Sequence, residues 1–599
     1  MKRIFLTFIL LSFLLPASAQ WRPAGDRIQT RWAQQVDPSC PLPEYPRPLM
    51  VRESWQNLNG LWQYAIVGRG EAPSAWQGGI LVPFAVESSL SGVGRTVGAD
   101  SELWYSRSFT VPSKWAGKRV VLHFGAVDWQ ADVWVNDVKV GSHTGGYTPF
   151  SFDVTEALVK GENSLKVRVW DPSDEGIQPR GKQVAKPRSI WYTSVTGIWQ
   201  TVWMEPVPES HIVNVATTPD LDRGCFVVET STVGGGIVEV KVLSGGNVVS
   251  TARALGGQKA EVAVADAHLW SPDDPFLYDL EISLVQNGRT VDCVRSYAAM
   301  RKISCARDAA GILRMRLNGK DLFQYGPLDQ GWWPDGLYTA PTDEALAFDI
   351  EQTKAFGFNM IRKHVKVEPA RWYYHCDRLG MLVWQDMPSG EHFTDWTMTN
   401  YWSGAERTRS ASSEATYRKE WSEIMDFLHS NPCIVVWVPF NEGWGQFKTA
   451  EIAEWTKDRD PSRLVNPASG GNHFLGVGDI LDLHHYPDPQ MYLYDAKRVT
   501  VLGEYGGIGW PIEGHLWETG RNWGYIKFNS AAELTDEYVK YAEMLYGMVS
   551  RGFSAAIYTQ TTDVEIEVNG LMTYDREIVK PDVGRIREIN TRIVKSLDK

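Results

Sequence analysis

The chain has 599 residues, 43% of them hydrophobic, and this length exceeds that of one ordinary domain. Its formal net charge of -12 argues against nucleic acid or an anionic membrane surface as a partner, because both repel an acidic protein. The 27 tryptophans are compatible with a sugar ligand, since indole rings stack on the C–H faces of sugars, although most of them serve in packing.

The first 19 residues have the pattern of a secretory signal peptide. Lys2 and Arg3 precede an apolar run that starts at Ile4, and small residues follow up to Ala19. The run is too short to span a bilayer and no comparable run follows it, so we expect no membrane span. The pattern predicts cleavage before Gln20 and export to the periplasm or the medium.

Two β-rich regions follow the signal peptide. Short alternating strands such as Arg119–Phe124 predict a jelly-roll β-sandwich over residues 20–206. A second set of strands, including Gly236–Val242, predicts an immunoglobulin-like β-sandwich over residues 207–300. Six scattered cysteines lack CxxC spacing, so neither a zinc knuckle nor a disulfide scaffold is indicated.

From residue 301 to 599, predicted helices alternate with predicted buried strands. The helices are expected at 342–356, 413–429, 449–457 and 532–550. The strands are expected at 359–362, 381–384, 434–439, 480–483, 499–502 and 555–558. This alternation predicts a (β/α)8 TIM barrel.

Two of these buried strands run into a glutamate, and a glycine lies one or two residues beyond it. Glu442 ends the run that begins at Cys433, and Glu504 ends the run that begins at Val499. Either glutamate alone is most simply interpreted as a strand-end residue in a salt bridge. Two carboxylates that face each other at the carboxyl ends of barrel strands are the minimal apparatus for cleaving a glycosidic bond.

Short motifs occur in a fixed order in all three regions. They include Leu58–Trp62, Gly145–Phe150, Leu269–Pro272, Gly357–Arg362, Asn441-Glu442 and Glu504–Gly506. In this order they resemble glycoside hydrolase family 2, the β-galactosidase and β-glucuronidase family. The resemblance implies a retaining exo-glycosidase without a cofactor, in which Glu442 is the general acid/base and Glu504 is the nucleophile.

Other residues at the predicted strand ends are candidates for substrate binding. Asn441 is suited to bond the hydroxyl next to the anomeric carbon, and Arg362 to keep the nucleophile ionised. A turn-forming asparagine and a surface ion pair are the simpler alternatives. The remaining candidates are His364, Asp329, Trp332, Trp333, Asp386, His484, Tyr486, Tyr505, Trp510 and Gln560.

A metal site is not expected among the histidines. His364, His484 and His485 lie at strand ends, but no His-x-His pair follows the first strand and no three-ligand set is apparent. A metal-dependent hydrolase is thus the less favoured alternative, and a chelator would test it.

The identity of the sugar is left open by departures from the family. Gly326–Asp335 and Tyr558–Asp563 differ from the usual motifs, and no Asn-x-Lys element is evident near Val568–Leu571, which argues against a glucuronide. A β-galactoside is favoured, with a β-mannoside, a furanoside or an α-L-arabinopyranoside as alternatives. A non-catalytic carbohydrate-binding protein is the alternative from another class. A homodimer is the assembly suggested by the family.

Overall fold

The computed structural model describes residues 21–392, 394–396 and 404–598. The expected signal peptide and its cleavage site lie outside these residues. Among the described residues, none of the helices combines the length and the apolar composition that crossing a membrane requires.

The first region is a β-sandwich of a six-stranded and a four-stranded antiparallel sheet, as predicted. In spatial order, the larger sheet contains Gly78–Val82, Gly60–Gly68, Ser101–Thr110, Glu162–Trp170, Gln130–Val135 and Val138–Thr144. The smaller sheet contains Gln56–Asn57, Val202–Val207, Arg119–Phe124 and Phe150–Asp153. Alternate residues of Glu162–Trp170 are buried, which is the period expected of a strand with one face on the core.

Two small strand pairs and four short 3-10 helices complete this region. The pairs are Val127–Asp128 with Gly197–Ile198, and Gln183–Val184 with Tyr192–Thr193. The 3-10 helices are Ala33–Gln35, Ser113–Trp115, Thr155–Ala157 and Ser173–Glu175.

The second region is a seven-stranded sandwich of the predicted immunoglobulin-like kind. One sheet contains His211–Asp220, Cys225–Val233 and Ala260–Ala263. The other contains Asn247–Leu255, Ile237–Ser244, Tyr278–Gln286 and Arg289–Ala298. Their inner faces meet in an apolar core, as is usual for packed sheets.

The third region contains eight parallel barrel strands. They are β1 (Gln324–Asp329), β2 (Met360–Lys363), β3 (Leu382–Asp386), β4 (Ile434–Val438), β5 (Leu464–Val465), β6 (Ile480–His484), β7 (Val499–Gly506) and β8 (Phe553–Thr559). Their spatial order is β5-β4-β3-β2-β1-β8-β7-β6. The backbone N–H of Asp479 donates to the carbonyl of Val465 at 2.9 Å, which links the β5 and β6 ends of this order. The predicted TIM barrel is therefore confirmed.

In the part of the barrel region that the structure describes, six α-helices accompany the strands. They are α1 (Asp343–Ala355), α2 (Ala370–Leu379), α3 (Ala411–Leu428), α4 (Thr449–Arg459), α5 (Ala531–Val549) and α6 (Val583–Val594). Smaller elements are the strands Ile303–Arg307, Leu313–Leu317, Lys320–Asp321, Ile508–Gly509 and Ile526–Lys527, and a 3-10 helix at Lys595–Leu597. Side-chain oxygens of Thr342, Ser410, Ser530 and Asp582 cap α1, α3, α5 and α6.

Candidate active site

Glu442 lies just beyond the carboxyl end of β4. All five residues of β4 are buried, so this strand lies in the barrel core. The chain leaves the core after the strand ends. There Glu442 adopts a left-handed backbone conformation with φ of 49°, and its N–H donates to the carbonyl of Ser469 at 2.9 Å. A non-glycine residue in this conformation is uncommon and occurs more often at functional sites.

Glu504 is positioned by an irregularity in β7. Leu483 pairs with Leu502, but the next residue, His484, pairs with Glu504, so Gly503 is an extra residue in β7. A Cβ atom on Gly503 would lie 1.9 Å from Oδ1 of Asp482, which restricts the position to glycine. The extra residue brings Glu504 level with His484.

The two carboxylates lie close to each other, with His484 between them. One ligand atom from each of Glu442, His484 and Glu504 lies within 4.8 Å of the other two. Nδ1 of His484 is 2.9 Å from Oε1 of Glu442 and 3.5 Å from Oε2 of Glu504. All three residues are buried, with Glu442 9% and Glu504 5% exposed.

The hydrogen bonds around His484 fix which ring nitrogen carries a proton. The Ser469 hydroxyl lies 2.7 Å from Oδ2 of Asp482 and donates to it, so its oxygen accepts from Nε2 of His484 at 2.8 Å. Nε2 of His484 therefore carries a proton, and Nδ1 faces the two glutamates. Burial disfavours the imidazolium, but Glu504 and Glu442 outweigh that effect and raise the pKa of His484.

Arg362, at the end of β2, connects several acidic and amide groups. Its Nη1 lies 3.3 Å from Oε1 of Glu504, and its Nη2 lies 2.8 Å from Oδ1 of Asn441. Its Nε and Nη2 also bond the two oxygens of Asp386, at 3.1 and 2.9 Å. Burial opposes its charge, yet Asp386 and Glu504 raise the pKa of Arg362, so it stays cationic.

The protonation of Glu504 depends on opposing neighbours. Burial raises the pKa of the Glu504 carboxyl; Glu442 adds to the increase, whereas His484 and Arg362 oppose it. The hydroxyl of Tyr486 also donates to Oε2 of Glu504 at 2.8 Å, which favours the ionised form.

Asn441 presents an unused donor. Its Oδ1 accepts from Arg362, while its buried Nδ2 has no hydrogen-bond partner among the described residues. An unpaired buried amide donor is costly, and a sugar hydroxyl beside the carboxylates would satisfy it.

His364 contacts Asp386, which in turn contacts Arg362. Nδ1 of His364 is 2.9 Å from Oδ2 of Asp386, the carboxylate that also holds Arg362. Burial lowers the pKa of His364 far below its usual value, and the positive charges of Lys182 and Arg362 act in the same direction. A neutral His364 is therefore placed to orient Asp386.

Several of the predicted binding residues have partners within the protein. Asp329 forms a buried ion pair with Lys363 at 2.6 Å, and the Tyr505 hydroxyl lies 2.5 Å from that of Tyr325 inside the barrel. Both residues therefore have structural partners, and their roles in substrate binding stay predictions.

The aromatic and amide candidates have comparable partners. Trp333 packs edge-on against Trp32. The guanidinium of Arg576 lies over the Trp333 ring, 4.0 Å from the ring centroid. Trp332 contacts Tyr192 and Tyr338 edge-on, and Trp510 packs against the apolar cluster around α5. Gln560 is fully buried between Gln330 and Asn569, at 2.8 and 3.0 Å.

The structure adds site residues that the sequence analysis did not identify. Tyr525 stacks on Tyr486 with ring centroids 3.8 Å apart, and Trp444, two residues after Glu442, lies 4.8 Å from Trp191 of the first sandwich. Lys182, also from that sandwich, lies 5.7 Å from the Trp444 ring. The signal available in the sequence was the long segment between the strands Glu162–Trp170 and Val202–Val207, since long connections often carry function.

The cluster of Glu442, His484 and Glu504 could also hold a metal ion. Its three candidate ligand atoms lie within 4.8 Å of one another. The sequence analysis foresaw no three-ligand set, because these residues come from different strands. The donor set of two carboxylates and an imidazole suits zinc with an open position.

Comparison with known proteins identifies the family. Family models described as the sugar binding domain of glycosyl hydrolases family 2, as glycosyl hydrolases family 2, and as its TIM barrel domain match residues 91–207, 210–301 and 338–495. A β-galactosidase from Thermoanaerobacter pseudethanolicus is 26% identical over 443 residues, which are 69% of this chain and 55% of that protein. The chain therefore spans about half the length of this relative.

Solved structures share the fold. A Bifidobacterium dentium β-glucuronidase complexed with coumarin-3-O-glucuronide has a TM-score of 0.71 at 21% identity, covering 90% of this chain and 98% of that one. A family 2 β-galacturonidase from Eisenbergiella tayi bound to glycerol has a TM-score of 0.69 at 21% identity, covering 91% and 98%. Three family models in order along the chain, with a matching fold, show that it belongs to glycoside hydrolase family 2.

Proposed function

We propose that the protein is an exo-acting glycosidase that cleaves its substrate by double displacement, with retention of anomeric configuration. The observation that carries this proposal is the separation of the two catalytic carboxyl groups, whose oxygens come within 4.8 Å of each other. Retaining enzymes place these groups about 5 Å apart, whereas inverting enzymes leave about 6.5 to 9.5 Å for a water molecule.

The contacts of the two glutamates support separate roles. Glu504 is held by the guanidinium of Arg362 and the hydroxyl of Tyr486, both of which stabilise a carboxylate. Glu442 contacts His484 and has no such cationic guanidinium partner among the described residues. We therefore assign Glu504 as the nucleophile and Glu442 as the general acid/base.

In the first step, an oxygen of Glu504 attacks the anomeric carbon while the bond to the leaving oxygen breaks. The Glu442 carboxyl gives its proton to that oxygen, and a glycosyl ester on Glu504 results. In the second step, Glu442 takes a proton from water, and the water oxygen attacks the anomeric carbon. The ester bond breaks, Glu504 becomes a carboxylate again, and Glu442 is reprotonated.

Asn441 and Arg362 stabilise the transition state of the first step. Nδ2 of Asn441 donates to the sugar hydroxyl adjacent to the anomeric carbon, and Arg362 holds Asn441 by its other amide atom. Hydrogen bonds to this hydroxyl strengthen in the transition state of glycoside cleavage.

The substrate is a glycoside with a β-linked terminal sugar. The names of the similar proteins, β-galactosidase, β-glucuronidase and β-galacturonidase, support galacto- and gluco-configured sugars as the candidates. The amino-terminal pattern supports export, and a homodimer is the assembly that we propose.

The nucleophile is tested with Glu504→Ala. We expect turnover of activated aryl glycosides to fall by at least about 10³-fold with little change in melting temperature. Sodium azide should restore activity and yield a glycosyl azide of the opposite anomeric configuration. Glu513→Ala, at an exposed glutamate in the loop after β7, is the matched control. Near-normal turnover by the Glu504 variant would contradict the proposal.

Metal-dependent hydrolysis is the second candidate, because Glu442, His484 and Glu504 offer three ligand atoms. It predicts that a chelator abolishes activity and that added zinc restores it. Under double displacement, dialysis against a chelator leaves turnover unchanged.

A further inference from the structure

Lys182 is a lysine of the first sandwich that lies in the active site of the barrel. It belongs to the connection between the sandwich strands Glu162–Trp170 and Val202–Val207, and only 5% of it is exposed. Its ammonium lies 5.6 Å from the ring of Tyr192 and 5.7 Å from that of Trp444, which follows Glu442. The positive charge of Lys182 acts on both Glu504 and Glu442.

The backbone around Lys182 is fixed against the barrel. The N–H groups of Arg180 and Gly181 donate to the carbonyl of Ser389 at 2.8 and 2.9 Å. Gly181 has φ of 64°, and a Cβ there would lie 2.5 Å from the carbonyl oxygen of Val365. This part of the loop is therefore docked beside β2 and β3.

The following residue, Gln183, anchors the loop to its own sandwich. Its side chain donates to Asp128 at 2.8 Å and accepts from the backbone N–H of Val195 at 2.7 Å. Lys182 is thus held between two fixed neighbours, so its position is built into the fold.

The ammonium of Lys182 has no direct polar partner in the protein. Among the described residues, no hydrogen bond to Nζ is formed and no carboxylate oxygen lies within 4.0 Å of it. The acidic groups that influence it most are Glu567, Glu504 and Glu442. Glu567 is already bonded to the hydroxyl of Tyr192 and, at 3.0 Å, to the amide of Asn569.

The side chain of Lys182 is mostly buried, and a charge with little access to water and no direct partner in the protein is costly. Burial lowers the pKa of Lys182, although the three carboxylates oppose the decrease. Aromatic faces stabilise a cation, but by less than a hydrogen-bonded counter-ion does. A carboxylate on the ligand would supply that counter-ion inside the pocket, and a hydroxyl would supply only a weaker neutral acceptor.

We propose that Lys182 binds the carboxylate of a uronic acid, so that the enzyme acts on β-linked uronides of galacto or gluco configuration. This inference rests on the proposed glycosidase function and specifies its substrate class. The absence of an Asn-x-Lys element near Val568–Leu571 argued against a glucuronide, but Lys182 supplies a cation from a different domain.

The experiment compares wild type, Lys182→Met and Lys182→Arg on four nitrophenyl substrates: the β-D-glucuronide, the β-D-galacturonide and the neutral β-D-glucoside and β-D-galactoside. Methionine keeps the length of the side chain and removes its charge. Lys186→Met, at an exposed lysine of the same loop, is the matched control. Binding of free glucuronate and galacturonate is measured by calorimetry in parallel.

We expect wild type to prefer a uronide over its neutral counterpart, and Lys182→Met to lower kcat/KM for that uronide by about 10- to 100-fold more than for the neutral glycoside. Lys182→Arg should recover part of this difference, and Lys186→Met should show none. Hydrolysis of neutral glycosides with no uronide activity, or equal losses on both classes, would overturn the role of Lys182 and leave the glycosidase function standing. If no glycoside of any class is cleaved, the proposed function fails, and the calorimetry then decides alone: charge-dependent uronate binding supports the role of Lys182, and its absence overturns it.

Discussion

Two buried groups of charged residues lie at neighbouring strand ends of the barrel, and they differ in how their charges are satisfied. The catalytic cluster consists of Glu442, Glu504, His484 and Arg362. The ion cluster consists of Asp329, Lys363, Lys366 and Glu368, where Lys363 bonds Asp329 at 2.6 Å and Glu368 at 2.9 Å. Lys366 lies 2.9 Å from the same Glu368 oxygen.

The two clusters differ in how their charges are paired, although Oε2 of Glu368 in the ion cluster is also buried without a hydrogen-bond partner among the described residues. In the ion cluster, each ammonium faces a carboxylate in direct contact, which is the usual state of buried charge. In the catalytic cluster, two carboxylates approach each other, and Nδ2 of Asn441 beside them lacks a partner among the described residues. The close approach of two carboxylates, rather than buried charge itself, distinguishes the catalytic cluster from the ion cluster.

The largest effect should come from removing the proposed proton donor, Glu442. Glu442→Gln keeps the shape of the side chain but cannot give or take a proton. We expect kcat to fall by about 10² to 10⁴-fold on glycosides with poor leaving groups, and by much less in the first step with dinitrophenyl leaving groups. Rates measured across leaving groups of different pKa test this, and a uniform loss would contradict the acid role.

The ion cluster should respond in stability. Lys363→Met leaves Asp329 and Glu368 buried without their shared cation, and breaking a buried pair costs about 3 to 5 kcal/mol of unfolding free energy. Lys540→Met, which breaks an exposed pair with Glu537, should cost less than about 1 kcal/mol. Denaturant unfolding of both variants measures the difference. A similar small loss for both would mean that the ion cluster is not essential to the fold.

The fold was largely predictable from sequence periodicity. Four helices and six barrel strands were predicted close to their observed positions, because their apolar residues repeat with clear periods. β1 and the two-residue β5 were not predicted as strands, and α2 and α6 were not predicted as helices. β1 contains Gly326 and Pro327, which disfavour a strand prediction, and β5 is too short to show a pattern.

The site was predictable only where a motif fixed it. Asn441, Glu442 and Glu504 were identified by motif, and Arg362, His484 and Tyr486 by their strand-end positions. The structure brings these six residues together. Position alone could not separate Asp329 from Asp386, since both end a barrel strand and both contact a cation.

Lys182 escaped the sequence analysis for a related reason. It lies 260 residues before Glu442 in the chain, and only the docking of the sandwich loop on the barrel brings the two together. No periodic pattern records a contact of that kind.

The smallest expected effect concerns the pH dependence of stability in the catalytic cluster. The pKa of His484 is raised in the folded protein, because Glu504 and Glu442 outweigh burial. Its contribution to stability is therefore complete below the unfolded value of about 6.5 and is lost as pH rises through the folded value. The difference in unfolding free energy between wild type and His484→Asn should shrink as pH increases above about 6.5. A difference that grows with pH would contradict a cationic His484.

The central claim, retention through a glycosyl ester on Glu504, is tested most directly by the anomer that forms first. Proton NMR during hydrolysis of a β-glycoside that the enzyme accepts resolves the two anomers before mutarotation mixes them. The close approach of Glu442 and Glu504 predicts that the β anomer appears first. Initial formation of the α anomer would show inversion and would contradict the assigned mechanism.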